Sequence, residues 1–166
     1  VKMTKSKKVG LIATAASVRS GQYERTIAAI DPTVEVIGAA CPLFVPLVEN
    51  GRYRVGDAVV EQIAEEYLAP LREAGVDTLI MGCTHYPLLT EVVGKIMGEG
   101  VELINAGAEA AWELKRTLTA ADTLATEREG AYKLYASDIT GDFATLAGQF
   151  LNDTVPAVEG VDIDQY

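Results

Sequence analysis

The chain has 166 residues, 49% of them hydrophobic, and a formal net charge of −10. This size and apolar content fit one ordinary globular domain. The acidic balance argues against broad binding to nucleic acid or to an acidic membrane surface. No apolar run approaches the roughly 20 residues of a membrane-spanning helix, and no cleavable signal pattern is present. Two cysteines without framework spacing indicate reduced thiols and predict a cytoplasmic protein.

Strand-like and helix-like segments alternate along the chain, which predicts a parallel, doubly wound α/β sheet. The predicted strands are residues 7–13, 34–39, 76–81, 101–104, 131–136 and 158–163. The predicted helices are residues 20–30, 56–74, 88–97, 106–119 and 142–151. In the longest helix, the apolar spacing predicts one buried face made of Val59, Ile63, Tyr67 and Leu71. Pro42 and Pro46 predict a loop after the second strand, and residues 120–130 read as a polar connector.

Three segments follow predicted strands, and ligands of such sheets bind beyond the carboxyl ends of the strands. They are ATAASVRS at residues 13–20, ACPLFVPLVENG at residues 40–51 and GCTHYPLL at residues 82–89. We therefore expect a binding site to be built from these segments.

The segment GCTHYPLL carries the most chemistry. Gly82 permits a tight turn, and Pro87 suits the first turn of a helix. A thiol at a helix N-terminus, such as that of Cys83, is more acidic than a free thiol and can act as base or nucleophile. Thr84 and backbone amides can bind a carboxylate, and His85 can polarise the thiol or protonate a carbanion. The alternative is a buried apolar cysteine beside a core or capping histidine. No second ligand pair has metal spacing, so no metal site is predicted.

The other two segments leave alternatives open. Thr14, Ser17 and Ser20 suit contact with an anion through hydroxyls and amides, but Ser17 or Ser20 as a helix N-cap is equally consistent. Cys41 fits a buried structural thiol better than a reactive one. Glu49 could pair with an ammonium group or with His85, or lie solvated on the surface.

Several of these strings resemble one protein family in the order in which they occur. GCTHYPLL resembles the second cysteine motif of glutamate racemases, which are cofactor-independent amino-acid racemases. Two segments are similar to those that precede this motif in the family: KKVGLIATAASVRSGQYERTI and ACPLFVPLVENG. ELINAGAEAA and LYASDITGDFATLAGQFL are similar to segments that follow it. The resemblance covers nearly the whole chain.

The resemblance implies one lobe of a pseudo-symmetric, two-lobed fold. Residues 1–130 would form the second α/β lobe, which carries the second catalytic cysteine, and residues 131–166 would return to the first lobe. The substrate, glutamate, lies between the lobes, and neither pyridoxal phosphate nor a metal is used. The product, D-glutamate, serves peptidoglycan synthesis.

The resemblance also implies a two-base mechanism with one cysteine on each face of the substrate. One thiolate removes the Cα proton, and the other thiol returns a proton from the opposite side. Carried over to this sequence, Cys83 is one catalytic acid/base, and His85 tunes it. The residues expected to bind the substrate are Thr14, Ser17, Glu49, Thr84 and His85.

The main departure from the family is that its first half, with the first catalytic cysteine, is not found. The start VKMTKSKKVG resembles the middle of a racemase, and Cys41 lies in a different family motif. Ala13, Ser17 and Asn105 also differ from the usual family residues. We therefore expect a chain that is inactive alone and works as a homo-oligomer or with a complementing N-terminal lobe. A racemase of another acidic amino acid such as aspartate, and a non-catalytic binding domain on the same lobe, remain alternatives. The continuation His-Tyr-Pro-Leu-Leu favours the glutamate type.

Overall fold

The computed structural model describes residues 1–125, 133–139, 143–152, 155 and 157–165. Contacts divide the chain into two compact units, Val1–Thr117 and Leu118–Tyr166. The first unit contains β1 (Lys8–Ala13), α1 (Ala15–Ser20), α2 (Gln22–Ile30), β2 (Glu35–Ala40), α3 (Phe44–Glu49), α4 (Ala58–Glu73), β3 (Thr78–Met81), a 3-10 turn (Tyr86–Leu89), α5 (Thr90–Met97), β4 (Glu102–Asn105) and most of α6 (Ala106–Ala120). The second contains β5 (Leu134–Ala136), α7 (Phe143–Leu151), β6 (Val158–Gly160) and a 3-10 turn (Ile163–Gln165).

The first unit is built on a four-stranded parallel sheet with the order β2-β1-β3-β4. Leu11 of β1 lies opposite Gly38 of β2 on one side and opposite Ile80 of β3 on the other. The predicted parallel α/β sheet is therefore confirmed. In the second unit, β5 and β6 form a separate parallel pair. Residues 131, 132 and 142, which the sequence assigns to a strand and a helix, lie outside the described residues.

Helices cover both faces of the four-stranded sheet, as a doubly wound arrangement requires. Side chains alternate between the two faces along each strand. Ile12 and Met81 belong to a large buried cluster that includes residues of α4 and α5. Val9 and Ile80 pack instead with Ile27 of α2. Within the described residues, no helix has both the length and the apolar character needed to cross a membrane.

The buried face of α4 differs from the prediction by about one residue. Its buried residues are Val60, Ala64, Leu68 and Leu71. Val59 is 40% exposed, so its predicted place at the core is wrong, while Ile63 and Tyr67 pack at the border of the core. Apolar periodicity defines a stripe on a helix, but the sheet beneath decides which edge of a broad stripe is covered.

Two local features differ from the predictions. The helix expected at residues 20–30 is α2, which begins at Gln22, and the short α1 before it was not predicted; Gly21 adopts a left-handed conformation with φ of 61° and ends α1. The loop expected around Pro46 contains α3. Pro46 fits there because it lies in the first turn, where a backbone N–H has no partner within the helix.

Candidate active site

The structure brings together the three segments that follow β1, β2 and β3. These strands are neighbours in the order β2-β1-β3, and all are parallel, so their carboxyl ends lie along one edge of the sheet. The winding reverses beside β1, since β2 lies on one side of it and β3 on the other. Such a switch point is where open α/β sheets form their ligand clefts.

Cys83 lies in the turn between β3 and the 3-10 turn. The N–H of Gly82 donates to the carbonyl of Ile12 at 2.8 Å, which continues the pairing of β3 with β1 up to the cysteine. The Cys83 side chain is partly exposed and packs against the large buried cluster. The N–H of Tyr86 donates to the Cys83 carbonyl, and Pro87 lies in the first turn that follows, as predicted. Cys83 is therefore partly exposed and rests against the core.

His85 has a polar partner at each ring nitrogen. Its Nδ1 lies 3.2 Å from Thr84 Oγ1, and its Nε2 lies 3.2 Å from Oε1 of Glu49. Glu49 ends α3, so residues from two of the three segments meet here. Pairing with His85, one of the options considered for Glu49, is present in the structure. The Glu49 side chain is 47% exposed, so the pair contributes little to stability and acts mainly on ring orientation.

Cys41 has a different environment from Cys83. Its exposure is 0%, and burial raises the pKa of the Cys41 thiol to about 12. Its Sγ is 3.5 Å from the carbonyl of Ala39. The interpretation of Cys41 as a buried structural thiol is confirmed, and this thiol is unsuited to proton transfer near neutral pH.

Tyr86 is a positioning residue that the sequence did not reveal. Its ring is fully buried and meets Phe44 of α3 edge to face, with centroids 5.2 Å apart. Its hydroxyl donates to the carbonyl of Cys41 at 2.9 Å, and burial raises the pKa of Tyr86. One side chain thus ties the loop after β3 to the loop after β2. A 3-10 turn of four residues has no periodicity from which its burial could be predicted.

Thr14 and Ser17 form a small hydroxyl pair at the start of α1. Thr14 is the N-cap: its Oγ1 accepts from the N–H of Ser17 and lies 3.0 Å from Ser17 Oγ. The expectation that Ser17 or Ser20 caps the helix is therefore wrong, because the chain is still extended at Thr14 and turns helical directly after it. Ser20 instead bridges the junction of α1 and α2, where it accepts from the N–H of Gln22.

In the parts of the chain that the structure describes, no three His, Cys, Asp or Glu side chains come together in a way that would hold a metal ion. The groups at the site are thus one accessible thiol, a histidine–carboxylate pair and a pair of hydroxyls. Together they can transfer a proton and bind a carboxylate.

Comparison with known proteins connects this site to one family, although no protein-family model matches the chain. A glutamate racemase of Geobacter metallireducens is 40% identical over 163 residues, which are 98% of this chain and 60% of that protein. One from Corynebacterium diphtheriae is 42% identical over 162 residues, covering 96% of this chain and 59% of that protein. The crystal structure of the Francisella tularensis glutamate racemase in complex with D-glutamate superposes with a TM-score of 0.87 at 34% identity, covering 96% of this chain and 59% of that one.

The chain spans about 60% of the length of the curated relatives it matches. Nearly all of its own length is matched, in sequence and in fold, which is consistent with the predicted C-terminal portion. The resemblance found in the motifs is therefore confirmed: over nearly its whole length the chain is similar to a portion of glutamate racemases.

Proposed function

We propose that this chain forms one half of the site of a glutamate racemase, with Cys83 as the group that transfers the Cα proton on one face of the substrate. The observation that carries this proposal is the partly exposed Cys83 beyond the carboxyl end of β3, with His85 of the same segment paired to Glu49 of the segment after β2. The D-glutamate bound by the Francisella tularensis relative supports glutamate as the substrate.

In the proposed reaction, the Cys83 thiolate takes the proton from Cα, and the electron pair stays on the substrate as a carbanion. The hydroxyls of Thr14 and Ser17, with Thr84, bind a substrate carboxylate. His85, oriented by Glu49, lies near the charge that develops. Preorganised dipoles of this kind stabilise such a transition state more than they stabilise the bound substrate. No cofactor takes part in the proposed reaction.

Racemisation needs a second acid on the opposite face of Cα. The chain has only two cysteines, and Cys41 is fully buried with a raised pKa. We therefore propose that the second acid comes from another polypeptide region, either a complementing lobe or a second copy of this chain. By itself the chain would not invert glutamate efficiently. The proposed role in the cell is the supply of D-glutamate for peptidoglycan in the cytoplasm.

The experiment is Cα-proton exchange in D₂O, followed by NMR, with D- and L-glutamate incubated separately. We expect exchange without inversion, confined to one enantiomer and lost in Cys83→Ser but retained in Cys41→Ser. Inversion of both enantiomers would contradict the expected inactivity of the chain alone and would mean that an assembly of its copies supplies the second acid. Absence of both exchange and glutamate binding would contradict the racemase role and favour a non-catalytic domain.

A further inference from the structure

Gly82, the residue before Cys83, lies in a space where a side chain would be crowded. A Cβ built on it would lie 3.0 Å from Leu11 Cδ1, 3.2 Å from the hydroxyl oxygen of Tyr23 and 3.3 Å from Ala13 Cβ. Ordinary contacts between carbon atoms lie at about 3.5–4.0 Å. Side chains from β1 and α2 therefore border the space beside Gly82, in the turn that carries Cys83.

The contact with Tyr23 is on the opposite face of the sheet from the thiol. Side chains alternate along β3, so the Gly82 position faces α2 together with Ile80, which packs near Ile27 of that helix. Cys83 faces the other way and packs with the cluster that includes residues of α4 and α5. Tyr23 therefore reaches the turn from behind and leaves the substrate side of Cys83 open.

The backbone at Gly21 explains why Tyr23 reaches this point. Gly21 has a φ of 61°, a left-handed conformation that ends α1 and starts α2 in a new direction. Tyr23 is the second residue of α2 and is partly buried.

We propose that Tyr23 is a positioning residue for Cys83: its hydroxyl, with Leu11 and Ala13, bears against Gly82 and fixes the turn that presents the thiol. Protein interiors are close-packed, so a shift of the turn on one face moves the group on the other. A displacement of about 1 Å at a reacting group can lower a rate by about 100-fold. This inference deepens the proposed function and rests on it for its biological meaning, but it concerns the reactivity of a thiol and can be measured without glutamate.

The test is a double-mutant cycle between Tyr23→Phe and Gly82→Ala, read by the rate of Cys83 alkylation with iodoacetamide between pH 6 and 9. Gly82→Ala inserts the excluded Cβ, and we expect the rate to fall by at least about fivefold with a shifted pH profile, within the range of couplings between touching residues. Tyr23→Phe removes one of the three atoms near that Cβ, while Leu11 Cδ1 and Ala13 Cβ remain. In the Tyr23→Phe background, the loss of rate caused by Gly82→Ala should therefore be at least about twofold smaller than in the wild type.

Two matched controls separate positioning from general destabilisation. Gly38→Ala also adds a Cβ within a strand of the same sheet, 3.2 Å from Val18 Cγ1. Tyr135→Phe removes a hydroxyl from an exposed tyrosine of the second unit. Neither control should alter the pH profile of Cys83 alkylation, even where the midpoint of unfolding changes.

Equal effects of Gly82→Ala in the two backgrounds would overturn the proposal, as would an unchanged rate in Gly82→Ala itself. Should Gly82→Ala not fold, the double variant decides: a folded protein with a nearly normal alkylation rate supports the contact, and an unfolded one contradicts it. The experiment distinguishes a failure of the coupling between Tyr23 and Gly82 from a failure of the proposed function. Coupled alkylation without any Cα-proton exchange would contradict only the racemase role, whereas exchange without coupling would contradict only the role of Tyr23.

Discussion

The loops after β2 and β3 follow nearly the same plan and present their cysteines in opposite ways. Each has a cysteine within two residues of the end of a parallel strand, then a proline within the first turn of a short helical segment. Cys41 follows β2, which pairs only with β1 among the described strands, and Cys83 follows the internal strand β3. The thiol beside the outer strand is nevertheless the buried one.

The difference shows that the cover over a thiol, rather than its local motif, sets its chemistry. The loop after β2 is covered by Phe44, Tyr67 and Tyr86, whose rings stack in edge-to-face pairs. This cover removes Cys41 from water and disfavours its thiolate. The Cys83 loop provides part of that cover through Tyr86, and its own thiol stays accessible. Through Tyr86, the loop after β3 therefore covers part of the loop after β2.

The largest expected effect is a difference in alkylation between the two cysteines. At pH 8, a thiol with a pKa of about 12 is ionised to only about one part in 10⁴, and Cys41 is also closed to the reagent. Iodoacetamide should therefore modify Cys83 at least about 1,000-fold faster than Cys41 in the folded chain. Mass spectrometry of peptides from time points would measure both rates, and Cys83→Ser would give the Cys41 rate alone. Similar rates in the native protein would contradict the comparison.

The next effect concerns the link between the loops. Tyr86→Phe keeps the ring but removes the hydroxyl that donates to the Cys41 carbonyl, a loss expected to cost about 1 kcal/mol of unfolding free energy. Because that carbonyl also accepts from the N–H of Phe44, it keeps one partner. We expect a lower urea midpoint and faster Cys41 alkylation through local opening. Tyr135→Phe, at an exposed tyrosine, should leave both unchanged. If the variant is as stable as the wild type and Cys41 still resists alkylation, the Tyr86 hydroxyl does not keep Cys41 covered.

The smallest expected effect is a loss of folding stability at acidic pH. It comes from Asp57 at the start of α4, the helix that carries Tyr67. Asp57 caps this helix. Hydrogen bonds from Arg52, and then from the N–H of Val59, lower the pKa of Asp57 from 3.8 to about 2. Because the folded pKa is the lower one, this carboxylate stabilises the fold above about pH 4, and that contribution is lost as the pH falls toward 2.

Asp57→Asn tests this dependence, since asparagine still caps a helix but does not titrate. We expect the variant to lose less stability than the wild type between pH 5 and 2, measured by urea unfolding at each pH. Asp138→Asn, at an exposed aspartate in the second unit, serves as the control. Parallel stability curves for the wild type and Asp57→Asn would contradict the assigned role of Asp57.

Sequence patterns were most informative where one physical rule acts alone. Alternating apolar runs gave the parallel α/β sheet, because a strand buried on both faces must be apolar throughout. Pro87 indicated the strand-to-helix turn, because proline fits the first turn of a helical segment, where a backbone N–H has no partner. The same patterns misjudged the side of α4 at Val59 and did not reveal α1, a helix of six residues that is too short for a clear apolar periodicity.

The sequence by itself determined the kind of fold, the segments that follow its strands and the polar groups that those segments carry. Only the tertiary structure decided which thiol is exposed, that Glu49 meets His85, and that Tyr23 stands behind Gly82. These contacts join residues 36 to 59 positions apart in the chain. Local propensities do not report on such distances, because the contacts depend on how complete elements pack against each other.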